Sequence, residues 1–247
     1  MVLKMGAEVG FENIGGGITV EISDDYGFGE DALLLARFSS PKPDEMVCDL
    51  GTGCGIIPLV WCRSENPPTI HAVELQPKAA EMARRSAKRS GMKDRIKVYT
   101  ADLRELQGVL KKESYNLVTM NPPYFAASTG GRSTNKAALL ARHEGEGCTL
   151  TEVVQAAKGL LYNGGRFCLC HKPERLCEVF DILRSAGLEP KELRFVHQNP
   201  NAKPWLFLCQ ARKGGSPGLS VLPPFIAYDY NRKPTMEREE LYGKYKE

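Results

Sequence analysis

The residues best suited to chemistry sit where apolar runs stop. The run YNLVTM (115–120) ends at Asn-Pro-Pro-Tyr-Phe, residues 121–125. A proline has a fixed φ and no N–H, so Pro122 and Pro123 close a strand in a rigid corner. The residue ahead of a proline is held extended. Asn121 therefore presents its amide, one acceptor oxygen and two N–H donors, from a fixed place, and Tyr124 and Phe125 follow with ring faces. A second such place is VCDLGTGCGIIPL (47–59), where Asp49 closes an apolar run ahead of Gly51, Gly53 and Gly55. Glycines allow positive φ and let backbone approach a ligand closely. Glu74 ends TIHAVE about 20 residues past these glycines, where an α/β sheet places a ribose acceptor. Asp102 ends RIKVYTAD, a matching edge position where it could accept an amino group. Each carboxylate alone also suits a solvated turn or a helix cap; three at successive strand ends favour a ligand cleft.

These groups need a scaffold that brings strand ends together. From Met46 the pattern alternates. MVCDL, TIHAVEL, RIKVYTAD, YNLVTMN, RFCLCHK, LEPKELRFVHQ and WLFLCQARK read as strands. GIIPLVWCRS, QPKAAEMARRSAKRSG, LTEVVQAAKGLLYNGG and ERLCEVFDILRSAG read as helices between them. Alternating βα units predict an α/β fold, a mostly parallel seven-stranded sheet with helices on both faces. The last two strands have no helix between them and should form an antiparallel edge hairpin. Ahead of this core, NIGGGITVEISDDY reads as a short β element and GFGEDALLLARFSS as a helix. Phe28 can pack over a ligand there, and Asp31 serves as helix cap or ligand contact. The expected organisation is a β extension over 1–30, a catalytic domain over 31–212, and a tail over 213–247. The tail follows a GGSPG linker, and its aromatics suggest that it docks.

The chain has 247 residues, 42% hydrophobic and 26% charged, with net charge +3. This is an ordinary globular composition with enough apolar residues for a core. No apolar run reaches membrane-span length, and the N-terminus lacks a signal-peptide core, so a cytoplasmic protein with no membrane partner is expected. The eight cysteines include no CxxC pair; buried free thiols are expected, with no metal. Nucleic-acid binding would need a local basic patch rather than this small total charge.

Four resemblances sharpen the expectation. The seven strands with one antiparallel pair resemble Rossmann-like class I methyltransferases. The acidic residue before GxGxG resembles the motif of S-adenosylmethionine enzymes, not the GxGxxG dinucleotide fingerprint. Asp49 would then serve the cationic end of that cofactor. NPPY resembles the catalytic motif of methyltransferases acting on planar amines. In that reading Asn121 and the Pro122 carbonyl grip the amine, Pro123 stiffens the corner, Tyr124 stacks on the target, and Phe125 stacks or packs behind it. SDDYGFGEDALLLARF, DLGTGCGIIPL, NPPYF and ARHE (141–144) together resemble the bacterial tRNA1(Val) adenine-N6-methyltransferase family over roughly residues 10–212. The resemblance implies an S-adenosylmethionine-dependent enzyme acting on an adenine in RNA, near a tRNA anticodon. The loop after NPPYF (Arg132, Lys136, Arg142), Lys203, and Arg232 with Lys233 are candidate RNA contacts. Two alternatives stand: a protein-glutamine methyltransferase of the release-factor type, which also uses NPPY but carries a helical domain ahead of its core, and a non-catalytic S-adenosylmethionine-binding module. Oligomeric state is left open.

Overall fold

The apolar runs become strands buried on both faces. The computed structural model describes residues 9–64, 66–122, 125–126, 143–144 and 148–242. The strands are β1 (Val9–Asn13), β2 (Thr19–Ser23), β3 (Met46–Leu50), β4 (Thr69–Glu74), β5 (Ile96–Thr100), β6 (Tyr115–Met120), β7 (Phe125–Ala126), β8 (His143–Glu144), β9 (Leu161–His171), β10 (Leu188–His197), β11 (Pro204–Lys213), β12 (Ser220–Val221) and β13 (Phe225–Ile226). The helices are α1 (Glu30–Ser39), α2 (Ile56–Trp61), α3 (Pro77–Arg89), α4 (Leu150–Leu160), α5 (Leu176–Ser185) and α6 (Met236–Tyr242).

The main sheet runs β12-β10-β11-β9-β6-β3-β4-β5, with β13 also paired to β10. Its seven long strands are the seven expected, and β11 is antiparallel to both β9 and β10. The tail adds the two-residue strands β12 and β13 alongside β10, so the hairpin is not the bare edge. An unpaired strand edge is an aggregation hazard, and the tail covers it.

Successive residues feed opposite cores. Val47, Ile70, Leu117, Cys168 and Leu208 join one buried cluster with α1 and α2. Cys48, Val73, Val118, Leu169 and Phe207 join the other with α4 and α5. This is why these strands read as continuous apolar runs rather than alternating ones. Six of the eight cysteines are buried and none is in a disulfide.

The chain builds outward from β3 to β4 and β5, then returns to place β6 on the other side of β3. That reversal opens a crevice at the carboxyl ends of β3 and β6, the usual ligand position in such sheets. Asp49 and Asn121 lie at those two strand ends.

Two elements differ from expectation. β1, missed because Gly10 weakens its pattern, pairs with β2 through a turn in which Gly15, Gly16 and Gly17 have positive φ. The stretch LYNGG belongs to β9 rather than to the preceding helix. Leu161 is extended and fully buried, and the pairing with β6 shifts register there, with Gly164 at φ 86°. A Gly pair marks a β-bulge as readily as a helix end. α4 is fixed at its start by a capping box, Thr149 with Glu152.

The β1–β2 hairpin is tied to α3. Ser86 and Ser90 hydroxyls accept the N–H groups of Glu21 and Thr19 at 2.8 and 2.9 Å. Arg85 grips Glu21, 2% exposed, with two hydrogen bonds of 2.7 Å. The basic face of α3 thus serves partly as an anchor for the N-terminal segment.

Candidate active site

The crevice is a cleft of about 630 Å³. Its walls come from the chain between β2 and α1, the glycine turn after β3, the ends of β4 and β5, and the end of β6.

The floor begins at Asp49. Its carboxylate is 1% exposed and lies beneath the cleft rather than on its wall. Thr119, on the neighbouring β6, donates its hydroxyl to Oδ1 at 2.7 Å. Among the described residues, neither Asp49 Oδ2 nor Thr52 Oγ1 has a hydrogen-bond partner. Burial pushes the Asp49 carboxyl up to about 7, against the Thr119 hydrogen bond that pulls it down, and Glu74 pushes it further up. A buried carboxylate oxygen without a partner is costly, and a cation above the floor would relieve that cost.

The glycine turn divides into two functions. Gly51 and Gly53 line the cleft with φ of 64° and 57°, and a Cβ on Gly53 would meet nothing within 4 Å. Gly55 does not line the cleft. A Cβ there would stand 3.0 Å from the Ala83 Cβ of α3, so this glycine serves close packing between α2 and α3. Its expected ligand contact is replaced by a packing role, since only a bare Cα lets those helices approach.

Glu74 holds the turn in shape. Its Oε2 accepts the Gly53 N–H and its Oε1 accepts the Gln76 N–H, both at 2.8 Å. Burial raises its carboxyl against the backbone donors that lower it. A carboxylate has about four lone-pair sites, so capacity remains for ligand hydroxyls. Asp102 lines the cleft, and both its oxygens accept from the Arg104 guanidinium. That hydrogen bonding is the main reason its carboxyl is held below the ordinary range.

The N-terminal segment forms the far wall. Phe28 and Asp31 line it, and Asp31 Oδ1 accepts the N–H of its neighbour Ala32 at 2.9 Å. The helix N-cap itself is Gly29, so Asp31 sits in the first turn, where an acid complements the helix dipole. Asp24, Asp25 and Tyr26 also line the cleft, and the Tyr26 hydroxyl lies 3.0 Å from Gln76 Oε1, to which it donates. In the sequence SDDY stands only as the end of the short β element over 13–26, with no site role of its own. The signal was there: two acids and an aromatic between a strand and a helix, facing a glycine turn. Thr119 was also missed, although a hydroxyl inside an apolar strand two residues before Asn121 was visible.

The cleft is acidic. Asp24, Asp25, Asp31, Glu74 and Asp102 line it, and among the described residues on its walls there is no Lys, Arg or His. Lys78 and Arg104 answer Asp25 and Asp102. Such a field disfavours a pyrophosphate and favours a cation.

Asn121 and Pro122 reach the cleft from β6. The Cys170 thiol, on adjacent β9 and fully buried, lies 3.1 Å from Asn121 Oδ1 and donates to it. Pro123, Tyr124, Arg132, Lys136 and Arg142 lie outside the described residues. Phe125 is described in its backbone alone, paired with His143. Lys203 is exposed in the turn between β10 and β11, at the same edge of the sheet but off the cleft walls.

Comparison with known proteins gives the family and the fold. The family model described as "Methyltransferase small domain" matches residues 29–179. A tRNA1(Val) (adenine(37)-N6)-methyltransferase of Porphyromonas gingivalis is 28% identical over 190 residues, 74% of this chain and 73% of that one. A protein of the same name from Yersinia enterocolitica is 31% identical over 191 residues, 77% of this chain and 68% of that one. Among solved structures, a predicted O-methyltransferase from Agrobacterium tumefaciens superposes with a TM-score of 0.68 at 23% identity, covering 87% of this chain and 96% of that one. That last likeness speaks for the fold alone.

Proposed function

Because the chain belongs to the tRNA1(Val) (adenine(37)-N6)-methyltransferase family, within the methyltransferase small domain family, we propose that it transfers a methyl group from S-adenosylmethionine to N6 of an adenine in tRNA, beside the anticodon. It would do so in the cytoplasm; among the described residues no helix is long and apolar enough to cross a membrane. The observation that carries the reading is the acidic cleft with its orphaned Asp49 oxygen, ending at Asn121.

The residues fit the cofactor. Asp49 would supply a buried negative charge for its cationic end, Glu74 would offer its remaining lone pairs to the ribose, and Asp102 and Phe28 would hold its adenine. When bound, S-adenosylmethionine supplies an electrophilic methyl group on a sulfonium. The chain's own contribution is placement. The exocyclic amine of adenine is a poor nucleophile because its lone pair is delocalised into the ring. Asn121 Oδ1 and the Pro122 carbonyl accept its two N–H bonds and hold the nitrogen in line. Acceptors already oriented at the site cost no reorganisation during reaction. An adenine in an anticodon loop is single-stranded, so little unstacking opposes its entry.

Cys170 positions Asn121. One lone pair of Oδ1 takes the thiol hydrogen, which helps fix the amide plane from which an sp² oxygen accepts. Cys170→Ala is expected to lower kcat about fivefold, equivalent to the ~1 kcal/mol of one modest hydrogen bond. The KM for cofactor should not change, and Cys170→Ser should recover the rate. Equal rates for Ala and Ser would refute the positioning role.

The function is tested with tritiated S-adenosylmethionine. Total tRNA, rRNA and a protein extract, all from cells lacking the enzyme, are offered to the purified chain. The expected product is labelled tRNA that digests to N6-methyladenosine. Label in protein instead would overturn the reading in favour of a glutamine methyltransferase.

A further inference from the structure

The chain between β13 and α6 projects past the sheet at the edge that carries Asn121. β13 runs parallel to β10, and the Ala227 and Tyr228 N–H groups donate to the carbonyls of His197 and Gln198 at 3.0 Å. The tail therefore leaves the sheet at the carboxyl ends of its parallel strands. Residues 229–233, Asp-Tyr-Asn-Arg-Lys, then close on themselves. The Asp229 N–H donates to the Lys233 carbonyl at 2.8 Å. Asp229 Oδ1 accepts the N–H groups of Asn231 and Lys233 at 2.8 and 2.9 Å. Arg232 sits at φ 61°, a conformation that costs a non-glycine residue about 1–2 kcal/mol. This loop is held in one shape, and that shape leaves Tyr230 76% exposed ahead of Asn231, Arg232 and Lys233, which are also exposed.

A fixed loop that keeps a large ring in water is a stacking platform. Tyrosine offers contact area with few torsions to freeze. Arg232 and Lys233 stand beside it. Among the described residues, neither these two nor Lys203 is paired with a carboxylate. On α3, by contrast, Lys78, Arg84 and Arg85 are each paired with Asp25, Glu81 or Glu21 and Arg89 lies over the Phe11 ring, which leaves Lys88 alone without such a partner among the described residues. Lys203, Arg232 and Lys233 all lie in connections at the carboxyl end of the sheet. Stepping from β6 through β9, β11 and β10 to β13 crosses four strand spacings, about 19 Å. The turn bearing Lys203 lies on that path. The tail also lies beyond the residues matched by the family model.

We propose that residues 229–233 form a finger that holds the tRNA substrate: Tyr230 stacks on an unpaired base, while Arg232, Lys233 and Lys203 take phosphates flanking the target adenine. The inference rests on the tRNA reading above. A stacked base gives affinity without demanding a sequence, and the cations add salt-dependent attraction. Together they would hold the RNA while its adenine occupies the cleft.

The test is steady-state kinetics of the full chain with tritiated S-adenosylmethionine and unmodified tRNA. Tyr230→Ala, Tyr230→Phe and the double variant Arg232→Ala/Lys233→Ala are compared with wild type at several salt concentrations. Tyr230→Ala is expected to raise the KM for tRNA roughly tenfold. Its kcat and cofactor affinity should be unchanged, and Tyr230→Phe should behave as wild type. The double variant should lower the slope of log affinity against log salt by about 1.5. Unchanged KM and slope, with tRNA still methylated, would overturn the finger and leave the function standing. A fall in kcat alone would also overturn it, because a holding element acts on binding. If wild type neither binds nor methylates tRNA while labelling protein, the function reading fails and the finger fails with it.

Discussion

Asn121→Ala is expected to abolish methyl transfer to adenine while leaving the fold and the cofactor site in place. Asn121 directly follows β6 and lines the cleft without being buried in either core. Truncation leaves the backbone corner at Pro122 intact and deprives the Cys170 thiol of one acceptor, a cost of about 1 kcal/mol or less. The rate effect is much larger. Removing one preorganised hydrogen-bonding group from a reacting centre typically lowers kcat about 10²–10³-fold. The amine would retain only the Pro122 carbonyl as partner and lose its alignment. Calorimetric titration should show cofactor affinity within about twofold of wild type, while label in tRNA falls by at least about a hundredfold. Strong residual methylation would show that Asn121 is not the amine acceptor, and equal loss of cofactor binding would show that it serves the cofactor instead.

Asp49→Asn should move stability and cofactor affinity in opposite directions. A carboxyl held at about 7 instead of 3.8 costs the fold on the order of 4 kcal/mol once it is ionised. The sign follows from proton counting. Between about pH 4 and 7 the native protein keeps the Asp49 proton and the unfolded chain does not. The native state thus binds more protons there, and stability falls as pH rises through that window. Asparagine removes this slope. Its Oδ1 can still accept from Thr119, and its Nδ2 can donate to the partnerless Thr52 hydroxyl. The ligand-free variant is therefore expected to gain about 2 kcal/mol at pH 8, roughly 4–8 °C in Tm. The cofactor meanwhile loses a charge-assisted partner worth about 2 kcal/mol, so its Kd rises about thirtyfold. In wild type, cofactor binding should weaken as pH falls below about 7, because the proton must leave Asp49 before the cation gains from it. The variant should lack that dependence. A lower Tm together with unchanged Kd would show that Asp49 is a structural carboxylate.

The sequence by itself determined the strand ends and their chemistry. Continuous apolar runs marked seven buried strands because a sheet covered on both faces needs apolar residues at every position. Prolines and glycines marked where those runs must stop, and the polar residues at the stops, Asp49, Glu74, Asp102 and Asn121, were legible for that reason. The tertiary structure decided what adjacency decides. Gly55 belongs to the same triplet as Gly51 and Gly53, yet only the approach of Ala83 from α3 makes it a packing residue. Cys170 reads as one more apolar residue in RFCLCHK; the β6–β9 pairing sets it against Asn121. Asp24 and Asp25 read as the end of a short β element, and only the folding of the β1–β2 hairpin onto α3 swings them over the cleft. The tail's aromatics suggested docking, but it was pairing with β10 that tucked Phe225 into the core and left Tyr230 in water. Local pattern records what each residue must avoid or bury. Which surfaces then meet is set by strand order and helix packing, through contacts between residues far apart in the chain, and no short window of sequence contains them.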